Sequence, residues 1–231
     1  MKLWIFGDSF SAPYNEELPP LENNFSIWSV QLAKLLGCDT IEYRSGYGYA
    51  NEYIFKTVVD DAQKIHETDY VLVQLTDPSR RWFLENDPTY GNYHNILDSQ
   101  FNEVINKKTK QAVKEYISCL HHPQSDSILY QQCFYGLYTI LNITASNQWK
   151  IIPGFEPCPE VNGTMSDIAN LEFINDIERK KWYKHYGVDP RQNHMSKENH
   201  KIFANKLYQC LSTESKELNL SDSFKKEFIK C

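Results

Sequence analysis

The chain has 231 residues, 41% of them hydrophobic, enough to bury the core of one α/β domain. A formal net charge of −6 leaves no basic footprint, which argues against nucleic acid or an anionic membrane as the partner. No apolar run approaches the roughly 18 residues of a membrane span, and Leu3–Phe6 is too short for a signal-peptide core, so a cytoplasmic protein made without export is expected.

In chain order, residues 2–6 predict a short buried strand ended by a turn at Gly7. Residues 26–36 carry Ile27, Val30 and Leu35 at helical spacing, with Gly37 as the stop. The stretch TIEYRSGYGYANEY then reads as a second strand, a turn at Gly46 and Gly48, and a helix running to about Ile65. Residues 69–76, DYVLVQLT, are nearly continuous in apolar and β-branched side chains, as a central parallel strand requires. Residues 149–155, WKIIPGF, give a further strand.

Strands alternating with helices along the chain predict a parallel sheet covered by helices, in a single domain spanning 1–231. Between them, about 84–147 is too long for a plain crossover. It reads as a helical insertion, with helices near 98–120 and 125–146, forming a cap or docking surface that carries Tyr130, Tyr135 and Tyr138. The stretch after Ser212 is charged and is expected as a solvated helix or frayed end. The six cysteines are scattered without a C-x-x-C pair and are expected as free, mostly buried thiols.

Chemistry concentrates at the strand ends, where ligands of parallel α/β sheets bind. Ser9 follows the first strand. A serine on such a turn serves as a nucleophile when a base is in reach, and its own N–H can face a developing oxyanion; in the alternative, Asp8 and Ser9 only cap the turn. His194 precedes Ser196, a good cap for a last helix on which Phe203, Leu207 and Leu211 form the buried stripe. His200 falls on that stripe and reads as structural. His121-His122-Pro123 lacks metal-ligand spacing and reads as a solvated loop, so no metal site is expected. Arg80-Arg81-Trp82 after the third strand reads as a salt-bridged surface turn, or as a contact for an anionic or sugar group at the mouth of the site.

The order of these blocks, GDSFS, GYGYAN, QLTD and DPRQNH, resembles the SGNH hydrolase (GDSL esterase/lipase) superfamily over the chain outside the insertion. The resemblance implies a three-layer α/β/α sandwich of SGNH or flavodoxin type. It also implies a serine esterase acting on a small ester, such as an O-acetyl group on a carbohydrate, without cofactor. Ser9 matches the nucleophile and first oxyanion donor, and Gly48 the second donor, with Gly46 as the competing alignment. Thr76 stands where the family usually has an asparagine as third donor.

His194 matches the base. The family's aspartate lies three residues before it, where this chain has Arg191. Either Asp189 orients the ring from five residues before, or the machinery is a Ser-His dyad. Asp8, Asn51 and Arg80 are candidate substrate contacts. The missing asparagine and displaced aspartate give a second reading on the same fold, a catalytically weakened binding or structural module, and a third is an acyltransferase on the same Ser-His machinery, with an alcohol in place of water. The composition and altered third block are also similar to SGNH-like proteins of tailed phages, which would make the protein virion-associated.

Overall fold

The computed structural model describes residues 1–12, 27–46, 48–82, 107–145, 148–168, 195, 197–213 and 217–224. Its centre is a four-stranded parallel sheet of β1 (Lys2–Gly7), β2 (Thr40–Ser45), β3 (Tyr70–Gln74) and β4 (Trp149–Ile152), in the order β2-β1-β3-β4. Leu3 pairs with both Ile41 and Tyr70, and Phe6 with Arg44 and Val73, which brings the carboxyl ends of β1, β2 and β3 level. The sheet grows outward in opposite directions from β1 and β3. A crevice at such a reversal point is where open α/β sheets bind ligands.

Leu3, Trp4, Ile5 and Phe6 are all buried, as are Val71, Leu72 and Val73. Because alternate residues face opposite sides of a strand, both faces of the sheet centre are covered. Helix α1 (Trp28–Leu36) ends at Gly37, whose φ is +69°, and packs on the last described helix, Lys197–Ser212. At that contact Trp28 meets Phe203 edge-on at 5.0 Å. The Trp28 N–H, which has no partner within α1, donates to His200 Nδ1 at 3.3 Å. His200 is thus a packed, structural histidine, as its place on the buried stripe predicts.

Helix α2 (Asn51–Asp61) leaves the loop after β2 and packs against β1. Between β3 and β4 lie α3 (Lys107–Cys119) and α4 (Pro123–Thr144). The part of the expected first helix over 98–106 falls outside the described residues. Helix α4 is not set apart from the sheet as a cap would be. It packs on α2 and β4, and Tyr130, Phe134, Leu137 and Leu141 enter the core. Each such side chain contributes about 1.5–3 kcal/mol on burial, so α4 acts as a crossover helix that closes the core. Only its outer face, with Tyr135 and Tyr138, remains exposed.

Residues 217–224 correct the expectation for the tail, of which 214–216 and 225–231 lie outside the described residues. β5 (Val161–Asn162) precedes the one-turn α5 (Met165–Ile168), and after α6 (Lys197–Ser212) the chain forms β6 (Leu218–Asn219), parallel to β5. Leu218 and Leu220 are buried. Charged neighbours mask a two-residue apolar alternation, Leu218-x-Leu220, that fits a strand and not a solvated helix.

Burial pushes the thiols of Cys133 and Cys158 up to about 12, while Cys119 is exposed. The five described cysteines are free; Cys231 lies outside the described residues. Among the described residues no helix is long and apolar enough to cross a membrane.

Candidate active site

The turn after β1 is tied by its own aspartate. Asp8 O accepts the N–H groups of Ser11 and Ala12, and Asp8 Oδ1 accepts the Phe10 N–H at 3.0 Å. These bonds fold the chain back over the strand end and leave Ser9 at the bend, half-buried. Among the described residues neither the Ser9 hydroxyl nor its N–H has a hydrogen-bond partner. Gln74, at the end of β3, closes the other side by accepting Ser11 Oγ–H at 2.9 Å and the Asp8 N–H at 3.4 Å. Gly7 permits this approach, since a Cβ there would lie 3.0 Å from both Gln74 and Ser11 side-chain atoms.

The loop after β2 runs beside this turn. Gly46 N–H donates to Gly7 O at 3.2 Å and is thereby used in holding the two strand ends together. Gly48 has φ +70°, and among the described residues its N–H meets no acceptor. Of the two glycines aligned as a second oxyanion donor, Gly48 is the one with a donor to offer.

Asn51, the first residue of α2, is buried and grips the main chain of Thr76. Its Oδ1 accepts the Thr76 N–H at 2.8 Å, and its amide donates to Thr76 O at 3.3 Å. Asn51 therefore positions the third strand end with one N–H and one lone pair of its amide. Thr76 is fully buried, and its hydroxyl donates to Asp8 Oδ2 at 2.6 Å. To serve as a third oxyanion donor it would have to give up that bond.

Arg80 completes the cluster. Its Nη1 donates to Asp8 Oδ2 and to Thr76 Oγ1, each at 2.6 Å, so one carboxylate oxygen, one hydroxyl and one guanidinium nitrogen form a closed triangle. Asp8 is fully buried and the Arg80 side chain 16% exposed. The Arg80 guanidinium carbon lies 6.0 Å from the centre of the Phe155 ring, and Phe155 meets Phe10 at 5.8 Å. Phe155 follows β4, so all four strands feed this region.

Arg81 is also not on the surface. It pairs with Asp126 at the start of α4 and lies 3.8 Å from Glu52 Oε1, whose carboxyl is held above its usual range by burial. His121 Nε2 bonds Asp126 Oδ2 at 2.9 Å, and His122 Nδ1 accepts the Gln124 N–H to cap α4. The expected solvated His-His loop is corrected at His121, which is half-buried against Asp126, while His122 stays exposed; the arginine turn is salt-bridged as expected, but Arg81 is buried and not on the surface. Among the described residues no three His, Cys, Asp or Glu side chains are grouped to hold a metal.

His194 and Asp189 lie outside the described residues. Ser9, Gly48, Thr76, Asp8, Asn51 and Arg80 do converge on the ends of β1, β2 and β3. The sequence reading missed Gln74 as the brace of the Ser9 turn and Phe155 as the aromatic wall beside Arg80. The signal for Gln74 was a polar residue inside an otherwise apolar strand, and for Phe155 its place directly after the fourth strand. In comparisons with known proteins, no family model and no curated protein matches the chain.

Proposed function

We propose that the protein is a serine esterase of SGNH type, built as a three-layer α/β/α sandwich, that cleaves a small ester such as an O-acetyl group on a carbohydrate. The observation that carries the reading is Ser9: a half-buried serine whose hydroxyl and N–H are unengaged among the described residues, on the turn that ends β1 at the reversal point of the sheet. In the proposed reaction Ser9 Oγ attacks the acyl carbonyl while His194 takes its proton. The new Oγ–acyl bond replaces the ester bond, and the alcohol leaves with the proton from His194. Water, deprotonated by the same histidine, then releases the acid and restores Ser9.

The Ser9 and Gly48 N–H groups stabilise the oxyanion, a contribution worth about 10²–10³ in rate per donor. Asp189 orients His194 in the triad form of the mechanism. Incubation with a fluorophosphonate probe and assay with 4-nitrophenyl acetate test the reading. The wild-type protein is expected to label at Ser9 and turn over the ester, and Ser9→Ala to do neither while melting at the same temperature. Equal turnover by the variant would remove the nucleophile.

One observation favours the second reading, a binding module on the same fold. The Thr76 hydroxyl is spent on Asp8 at the position where the resembled family carries a free asparagine amide. Turnover of no ester, together with fluorophosphonate inertness, would select it.

A further inference from the structure

Arg80 is held by only one of its three nitrogens. Nη1 bonds Asp8 and Thr76, whereas Nε is buried without any partner and Nη2 meets no acceptor among the described residues. Unpaired buried donors carry a cost and call for an explanation such as a water or an ion. Neutralising Asp8 needs only Nη1. The arrangement does more: Asp8 Oδ2, Thr76 Oγ1 and the Phe155 ring fix a planar guanidinium against the aspartate that precedes Ser9, and leave Nε and Nη2, two donors side by side as a fork, without an acceptor among the described residues. Such a fork matches two oxygens of one carboxylate or phosphate, and an arginine set in advance by a buried aspartate loses little freedom on binding it.

We propose that Arg80 is a specificity-determining residue that receives an anionic group, a carboxylate or phosphate, carried by the ester that Ser9 attacks. Asp8 is then the anchor of Arg80 and not a substrate contact itself. The inference rests on the esterase reading for the identity of the ligand as substrate, but anion binding is measurable without turnover.

Two measurements test it. The first compares kcat/KM for mono-4-nitrophenyl glutarate with that for neutral 4-nitrophenyl butyrate, in the wild type and in Arg80→Lys, which keeps a cation for Asp8 but lacks the fork. The glutarate preference is expected to fall at least about 10-fold in the variant, the range of one charged hydrogen bond. The second titrates glutarate and inorganic phosphate calorimetrically into both proteins without ester. Binding by the wild type that weakens at least about 10-fold in Arg80→Lys supports the inference, and which anion binds assigns carboxylate or phosphate.

If Arg80→Lys does not fold, the double variant Asp8→Asn/Arg80→Gln removes both charges together and is expected to lose the same preference. If no ester is turned over, the esterase reading fails and the titration alone decides. An unchanged preference, or anion binding equal in wild type and variant, overturns the inference, and the two donors of Arg80 then face water alone.

Discussion

Thr76 is where residue identity and residue role part most clearly. Its position after β3 is plain in the sequence, and so is its hydroxyl, but the acceptor of that hydroxyl is Asp8, 68 residues away. No periodicity or turn signal encodes such a pairing, because it depends on how two strand ends come level after the sheet forms. The geometry makes Thr76 a donor to a buried carboxylate, so Thr76→Val should destabilise the protein by about 1.5–3 kcal/mol, the value of a hydrogen bond to a charged group. Thr76→Ser keeps the hydroxyl and should recover most of that loss. Urea melts of the three proteins decide the matter. A Val variant that lost rate on 4-nitrophenyl acetate but no stability would return Thr76 to the oxyanion. Ser9, Gly48 and Arg80 were legible as strand-end residues for the opposite reason: their placement follows from where each strand stops, which local composition does encode.

Strand ends are also where the elements are locked to each other. At the amino ends, Asp69 accepts the Trp4 Nε1–H, the Lys2 N–H and the His66 N–H, pinning β1 to the start of β3. Burial pushes its carboxyl up, but these donors outweigh that and hold it below the ordinary range. A depressed folded-state value contributes stability above the unfolded value of about 3.9 and loses it as pH falls toward the folded one. Asp69→Asn should therefore melt lower at pH 7, by about 1–3 kcal/mol. The gap should narrow as pH drops below about 4; a gap that stayed constant with pH would mean that charge is irrelevant there. At the carboxyl ends, a Cβ on Gly154 would meet Leu75 O at 2.2 Å and Thr76 Cα at 3.1 Å, backbone atoms that cannot swing aside. Gly154→Ala should cost about 1–3 kcal/mol as overpacking and reduce whatever activity depends on the Thr76 strand end. The strands and main helices were readable because each carries its own period, and the Pro153-Gly154 turn because of its residues. That α4 is part of the core was not readable: its buried stripe faces α2 and β4, and a sequence shows a stripe without showing what it meets.

The molecule closes on itself at a place the sequence points away from. Read locally, the stretch after Ser212 is rich in charge and suggests a solvated end, yet β6 pairs with β5, and the Leu218 and Leu220 N–H groups donate to Glu160 O and Asn162 O at 3.1 and 2.6 Å. The pairing spans more than fifty residues, and a two-residue strand carries no period long enough to be seen without its partner. On the outer side, Lys206 of α6 bonds Asp222 at 2.6 Å and lies 5.6 Å from the Phe224 ring, so the tail is held from the helix as well as from β5. Both salt-bridge partners keep some exposure, and such a pair is worth little by itself. The leucines, 2% and 1% exposed, should carry the stability. Leu218→Ala and Leu220→Ala are each expected to cost about 2–5 kcal/mol, the range for a leucine truncated in a packed interior. Exposed Glu217→Ala, one residue earlier, should stay within about 0.5 kcal/mol of wild type. Since β5 leads into α5, loosening β6 should also raise amide exchange at Val161–Asn162 before the central sheet opens. Near-silent leucine variants, with exchange at β5 unchanged, would mean that the tail lies on the surface and that the central sheet with its helices folds without it.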